Sequence, residues 1–284
     1  NPRRVVIQLM PAPFSQGWVE NVKLLAHSGY YDGLAVVRVQ DNYVTQWADP
    51  AEDEADAKPL SEGLKVMGEN EYTADVTDER RNSFSKMIGI VNDALASGDS
   101  VGIISKPSRD SYAKHTEFFS GWPTGSDEGL AWPVHCYGMV GVARGMSPST
   151  GDGSSLYTVI GHAPRHLDRN IALVGRVIEG MEHLSSLPRG KGPLGFYAED
   201  EIDKRTPIKQ VRLASELHGA ASSSEAVGQQ GPPPPAFEYL STESESFAKY
   251  AEARANRRDP FFIHQAGGAD ICNIPVPVRR VPGD

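Results

Sequence analysis

Gly33-Leu-Ala-Val-Val-Arg-Val-Gln-Asp-Asn-Tyr-Val-Thr-Gln-Trp-Ala-Asp-Pro50 is the stretch whose reading decides the fold. The apolar run from Leu34 to Val37 leads into a single arginine, Arg38. Gln40-Asp41-Asn42 is a turn, after which Tyr43, Val44 and Gln46 alternate into a second extended piece. Apolar, β-rich residues flanking an Asp-Asn turn read as strand–turn–strand. An arginine is seldom buried unless paired, so Arg38 at the end of a buried-looking strand needs a partner. One reading is an ion pair with a carboxylate such as Asp49. The other is a guanidinium aimed into an apolar groove to bind a carbonyl or amide.

On the N-terminal side, Arg3 to Met10 reads as a strand closed by Pro11. Ser15 is placed to cap a helix from about Gln16 to Ser28. Trp18, Val19, Val22, Leu25 and Ala26 fall on one face at helical spacing, and Gly29 is a C-terminal stop. Trp18 on that face reads as core. On the C-terminal side, Tyr137 to Ala143 is a strand with close-packing glycines, and Ser154 to Ile160 is another. Pro164 to Asp168 is a turn, residues 171–178 are strand-like around Gly175, and Glu179 to Leu187 is a short helix ended by Pro188.

The opening stretch resembles the cyclophilin pattern F-H-R-x-x-x-x-F-x-x-Q-G-G-D. Arg38 falls on its arginine, Tyr43 on its phenylalanine, Val44 on the next apolar residue, Gln46 on its glutamine and Asp49 on its aspartate. Val36-Val37 and Trp47-Ala48 depart from it. The run from Val134 to Met181 resembles the family's second signature, G-x-x-S-M-A-N…G-S-Q-F-F…W-L-D-G-x-H-x-x-F-G-x-V-x-x-G-M. There Ala143 matches the groove alanine, Tyr157 the second phenylalanine, Leu167-Asp168 the L-D pair, and Gly175, Gly180 and Met181 the closing residues. Ser155 stands for the glutamine, His166 for the tryptophan and Ile171 for the histidine.

The resemblance implies a mainly β fold, a closed antiparallel β-barrel capped by two helices, over residues 1–218. Lys204 to Leu213 would be its closing strand. Residues from about 51 to 133 exceed the family pattern as an insertion, in which Ala51–Lys58 and Ser120–Ser126 read as loops, Phe84 to Leu95 has mixed helical spacing, Gly98-Asp99 is a turn and Val101–Ile104 a strand. Gly219 to Pro235 is a Ser- and Pro-rich low-complexity linker. Residues 236–284 form an extension expected to pack back on the barrel, with a charged helix over Glu243–Arg258 and an extended piece over Asp270–Val278. The sequence starts after the place of the family's first strand, so either that strand was lost upstream or this extended piece covers the exposed barrel edge, the reading taken here.

The implied activity is cis–trans isomerisation of X–Pro bonds, with Arg38 as the catalytic residue and no cofactor or metal. Tyr43, Val44, Gln46, Ala143, Arg144, Tyr157, His166, Leu167 and Ile171 would form the substrate groove. The implied partners are proline-containing peptides and folding protein clients, with weak cyclosporin binding because His166 replaces the tryptophan. The rival is a non-catalytic cyclophilin-like peptide- or protein-binding module, suggested by the long insertion and tail and kept open by the Ser155 and Ile171 departures.

Bulk properties narrow the remaining classes. The 284 residues carry 28 basic and 37 acidic groups, a net charge of −9, which argues against nucleic-acid binding as the main role. No apolar run approaches the ~20 residues needed to span a bilayer. His162 and His166 are four apart, but Pro164 between them prevents a shared helix face of the H-E-x-x-H kind. No G-x-x-x-x-G-K-[ST] and no G-x-S-x-G is present. Cys136 and Cys272 are either two buried thiols or one disulfide, which requires an oxidising compartment. The non-Met start, that pair and the likeness to bacterial secreted isomerases favour a periplasmic or secreted location, with the cytoplasm as the alternative.

Overall fold

The computed structural model describes residues 2–51, 54–75, 110–220 and 235–282. The Phe84–Leu95 spacing, the Gly98-Asp99 turn, the Val101–Ile104 strand and the body of the 219–235 linker lie outside them. The chain divides into two compact units, one of residues 1–72 and 135–236, the other of residues 73–134 and 237–284.

The first unit is built on one six-stranded sheet. Its strands are β1 (Val6–Leu9), β2 (Ala35–Val39), β3 (Val44–Ala48), β8 (Met139–Val142), β9 (Leu156–Val159) and β10 (Leu173–Glu179), in the order β1-β10-β8-β9-β3-β2, with every neighbouring pair antiparallel. Strands β8 and β9 are buried along their whole length, as expected of apolar runs covered on both faces. Residues 171–178, which read as two strand-like pieces, form the single strand β10 from Leu173 onward, because Gly175 lets the backbone of Gln8 approach: a Cβ there would lie 2.6 Å from the Gln8 carbonyl oxygen.

Helix α1 (Gln16–His27) packs on β10 and buries Trp18, Val19, Val22, Leu25 and Ala26. Trp18 is fully buried core, and its indole N–H donates to the carbonyls of Thr150 and Gly151. Ser15 does not cap this helix through its side chain: it sits at φ 54, in the left-handed region, with no side-chain cap bond. Gly29, at φ 72, follows the last turn as expected. A second, short helix α2 (Met181–Ser185) follows β10, and α3 (Ala214–Ala220) runs into the start of the stretch read as a linker from Gly219.

The sheet is open, not a closed barrel. The expected closing strand over 204–213 is not a strand. Residues 199–204 are a 3-10 helix, and only the short stretch around Pro207 runs beside β2. Its backbone bonds are Val36 N–H to Thr206 O (2.9 Å), Ile208 N–H to Leu34 O (2.7 Å) and Gly33 N–H to Ile208 O (2.8 Å). Pro207 has no N–H to extend the ladder, and among the described residues nothing pairs this stretch with β1. It shields the outer edge of β2, as irregular and Pro-bearing segments do on natural sheet edges.

The second unit holds a four-stranded antiparallel sheet of β4 (Ala74–Asp75), β5 (His115–Phe119), β6 (Trp122–Asp127) and β7 (Leu130–Pro133), in the order β4-β7-β6-β5. The Ser120–Ser126 stretch is therefore a hairpin and the start of a strand, not a loop. Ser120 (φ 48) and Gly121 (φ 83) both take positive φ, as do Glu128 (φ 49) and Gly129 (φ 84), the backbone of the two-residue turns that match strand twist. The extension supplies β11 (Phe237–Tyr239), α4 (Glu245–Ala255) and β12 (Val278–Arg280). Ser244 caps α4 by accepting the Phe247 N–H at 3.1 Å. Phe247, Ala251 and Ala255 pack with Ile274, Phe118 and Tyr250. Within the extension, β12 pairs with β11 in a two-stranded antiparallel ribbon. Among the described residues no helix is long and apolar enough to cross a membrane.

Candidate functional site

Strand register assembles the site. Arg38 on β2 lies opposite Gln46 on β3, Gln46 opposite Tyr157 on β9, and Tyr157 opposite Gly141 on β8. Cross-strand partners share a face, and so do residues two apart along a strand. Val44 and Val159, themselves partners, therefore join Gln46 and Tyr157 on the face that carries Arg38. Gly141 is what lets the Tyr157 ring lie across β8, since a Cβ there would meet the phenol at 2.4 Å.

Val44, Tyr157 and Val159 form a buried floor. Tyr43, Ala143, Leu167 and Ile171, all half-buried, pack against it as walls. Tyr43 is delivered by the turn, where Asn42 takes φ 53 and the Gln40 N–H donates to Val44 O at 2.9 Å. Leu167 ends a 3-10 turn over Arg165–Leu167, and Ile171 N–H donates back to its carbonyl at 3.1 Å. His166 is exposed and lies parallel to the Tyr43 ring, centroids 6.2 Å apart. The Arg144 side chain donates to the Asn170 and Gly145 carbonyls.

Arg38 stands half-buried at the edge of this cluster. It makes no pair with Asp49, whose carboxylate instead accepts the backbone N–H groups of Ala51 and Lys58. Its Nε donates to the Leu194 carbonyl at 2.7 Å, one terminal nitrogen to Gln46 Oε1 at 3.2 Å, and the other to Gln40 Oε1. Gln46 in turn donates to Ser155 Oγ at 3.2 Å, so the serine at the family's glutamine position fixes Gln46 rather than opening the site. The guanidinium lies near two rings, Tyr43 at 5.6 Å and Phe196 at 5.3 Å from their centroids. Burial lowers its pKa, with Tyr43 acting in the opposite direction, and an arginine stays charged regardless.

Gln40, Leu194, Phe196 and His135 are the participants that sequence reading missed. Behind the floor, Tyr157 Oη meets His135 Nε2 at 3.0 Å, and His135 Nδ1 meets Asp168 Oδ1 at 2.9 Å. Arg165 Nε donates to Asp168 Oδ2 at 2.6 Å. Burial holds the His135 imidazole below its ordinary pKa against the pull of Asp168, and pushes the Tyr157 phenol far above its own. The neutral imidazole therefore donates from Nδ1 to Asp168 and accepts the Tyr157 O–H at Nε2. Asp168 was visible only as half of an L-D pair; nothing local in the sequence announced His135 as its partner. Neither cysteine is a free thiol; both are disulfide-bonded. Among the described residues no group of three His, Cys, Asp or Glu side chains is placed to hold a metal ion.

Residues 4–214 match the family described as cyclophilin type peptidyl-prolyl cis-trans isomerase/CLD. Among solved structures, the cyclophilin AquaCyp293 from Hirschia baltica superposes with a TM-score of 0.61 at 20% identity, over 97% of this chain and 86% of that one. A Cryptosporidium parvum cyclophilin type peptidyl-prolyl cis-trans isomerase in the presence of the dipeptide Ala-Pro aligns at a TM-score of 0.40 and 14% identity, over 72% of this chain and 89% of that one. That second likeness is too low to carry an argument. No curated protein matches the chain.

Proposed function

Since the chain belongs to the cyclophilin-type peptidyl-prolyl cis-trans isomerase family, we propose that Arg38 and the apolar cluster beside it carry its isomerisation of X–Pro bonds. Rotation about such a bond is slow because it breaks C–N double-bond character, at a barrier of ~18–20 kcal/mol. At the top of the barrier the amide is twisted and its nitrogen has regained a lone pair. A donor aimed at that nitrogen stabilises the twisted state more than the planar one, which is what lowers a barrier.

Arg38 supplies the donor. A guanidinium has five N–H groups; the Leu194, Gln46 and Gln40 contacts occupy three, leaving one on each terminal nitrogen for an incoming amide. The floor of Val44, Tyr157 and Val159, walled by Tyr43, Ala143, Leu167 and Ile171, fits a pyrrolidine ring. Gln46 and the backbone at Ala143 and Arg144 hold the peptide on either side. One charged hydrogen bond is worth ~1.5–3 kcal/mol, or roughly one to two decades of rate at ~1.36 kcal/mol per decade. The remainder comes from fixed dipoles in a dry, preformed groove.

The observation that carries this reading is the shared face of Arg38, Gln46 and Tyr157 across three adjacent strands. Isomerisation of a tetrapeptide containing one X–Pro bond, followed without a coupled protease in the wild type and in Arg38→Ala, tests it. Clients are unfolded or folding chains that present proline. Cyclosporin binding is weak, because the exposed His166 stands on Tyr43 where the family pattern has tryptophan. An oxidising compartment, periplasmic or extracellular, suits a chain whose cysteines are disulfide-bonded.

A further inference from the structure

Beyond the two family signatures, the segment from Pro188 to Tyr197 lies against β2 at the catalytic arginine. It is a built feature. Gly190 N–H donates to Val39 O and Tyr197 N–H to Val37 O, both at 3.1 Å, and Tyr197 Oη donates to Pro188 O at 2.6 Å. From behind, the fully buried Glu201 carboxylate accepts the N–H groups of Lys191 (2.7 Å) and Ala198 (3.2 Å) and is paired with the Lys204 ammonium at 2.8 Å.

Two backbone features bring this segment close to Arg38. Gly195, at φ 80, backs onto Gln40 so closely that a Cβ would lie 2.6 Å from the Gln40 Cα. Leu194 takes φ 56 although it is not glycine, and the residue is 67% exposed, so burial of the leucine is not what holds it there. A non-glycine residue in the left-handed region persists only where its surroundings enforce it, and such residues cluster at working sites. What this conformation presents to Arg38 is the Leu194 carbonyl, 2.7 Å from Nε. The next side chain but one, Phe196, lies by the guanidinium with its ring centroid 5.3 Å from Cζ, and is itself 39% exposed.

We propose that the 190–197 segment is a positioning element of the isomerase, in which the Leu194 carbonyl and the Phe196 ring set the angle of the Arg38 guanidinium. The proposal rests on Arg38 being the catalytic residue. Gln46 and Gln40 also accept from Arg38; Gln46 is held by Ser155, but the Gln40 side chain can rotate. A main-chain carbonyl locked by its neighbours cannot, and it fixes the Nε–H edge so that the free N–H on each terminal nitrogen faces the groove. The ring limits rocking of the guanidinium out of its plane. Substrate does not have to touch Phe196 for this effect.

The test is a double-mutant cycle on kcat and KM for an X–Pro peptide, using the full chain as wild type, Phe196→Ala, Arg38→Ala and both together, with melting temperature measured alongside. A cation–π contact is worth ~0.5–2 kcal/mol, so Phe196→Ala should lower kcat by about two- to thirtyfold, with KM and melting temperature little changed. Phe196→Tyr should restore it. In the Arg38→Ala background the same change should cost less than about twofold, because coupled residues are not additive. Gly195→Ala, which forces the segment off Gln40, should reproduce the loss. Unchanged kcat in both Phe196→Ala and Gly195→Ala, or an equal loss with and without Arg38, overturns the proposal. Full activity in Arg38→Ala alone is a different failure, that of the catalytic reading beneath it.

Discussion

Replacing Arg38 by alanine separates catalysis from stability with little ambiguity, because of what the guanidinium touches. Its three acceptors are the neutral Leu194 carbonyl, Gln46 and Gln40. No carboxylate is left buried and uncompensated when it goes, so the large penalty for breaking a buried ion pair does not arise. The site is half-exposed and water can reach the freed acceptors, so the stability cost is about 1–2 kcal/mol. The catalytic loss is larger. On the proposed role, the direct hydrogen bond to the twisted nitrogen would account for roughly one to two decades. Gln46 also loses its anchor, and removal of a preorganised donor from an acyl-transfer site costs ~10²–10³ in rate. The expected result is a fall in kcat/KM of about two to three decades, with the folded state retained. Arg38→Lys keeps the charge but not the planar fork, and should recover only about a tenth of the lost activity or less. Activity is read by exchange-detected isomerisation of an X–Pro peptide, and folding by circular dichroism and a urea melt. An alanine variant within about threefold of wild type, a change worth only ~0.65 kcal/mol, would refute the assigned role.

Other outcomes follow from the same geometry. Tyr157→Phe leaves the ring in the pocket floor but takes the proton from His135 Nε2; urea unfolding should show a loss of ~1–3 kcal/mol, while peptide turnover stays within a few-fold. His135 has a folded-state pKa lowered chiefly by burial. Below its unfolded value of about 6.5 the unfolded chain therefore binds the proton first, and stability present at neutral pH drains away as the pH falls. Urea midpoints between pH 7.5 and 5.5 should decline in the wild type and decline less in His135→Gln. Gly141→Ala would drive a methyl to within 2.4 Å of the Tyr157 phenol; overpacking of that kind costs ~1–3 kcal/mol, and both melting temperature and turnover should drop. Thiol labelling of the denatured, unreduced protein should find no reactive cysteine, and two after reduction, the full number in the chain.

The parts of the fold that could be read in advance are those fixed by local pattern. The 33–50 hairpin was legible because apolar alternation and an Asp-Asn turn coincide, and α1 because five apolar residues recur at helical spacing. The errors have local causes as well. Ser120–Ser126 looks like loop from its Gly, Pro and Ser content, yet the Ser120-Gly121 pair adopts positive φ and closes a hairpin. Lys204–Leu213 alternates like a strand, but Pro207 interrupts its pairing with β2 and a 3-10 helix takes its first residue. Ser15 was the right residue type for a cap, in the wrong backbone region.

The site divides along the same line. Tyr43, Val44, Ala143, Tyr157, Leu167 and Ile171, named from a resemblance, do meet in one cluster. That Gln46 faces Tyr157 across β3 and β9 depends on register, which one strand's sequence does not reveal. Phe196 and the Leu194 carbonyl reach Arg38 from the segment after α2, which lies beyond both family signatures. His135 and Asp168 are joined through the core, and neither carries a local mark of the other. Pairings of distant residues depend on how the chain closes, so they emerge only with the three-dimensional arrangement.

Intermolecular NOEs from an X–Pro peptide bound to the wild-type protein, recorded with the cis and trans forms in exchange, bear most directly on where the reaction occurs. The proline ring protons should show contacts to Tyr43, Val44, Tyr157 and Leu167, with the Arg38 guanidinium resonances shifting on binding. Proline contacts that fall elsewhere on the chain while isomerisation proceeds would contradict the assignment.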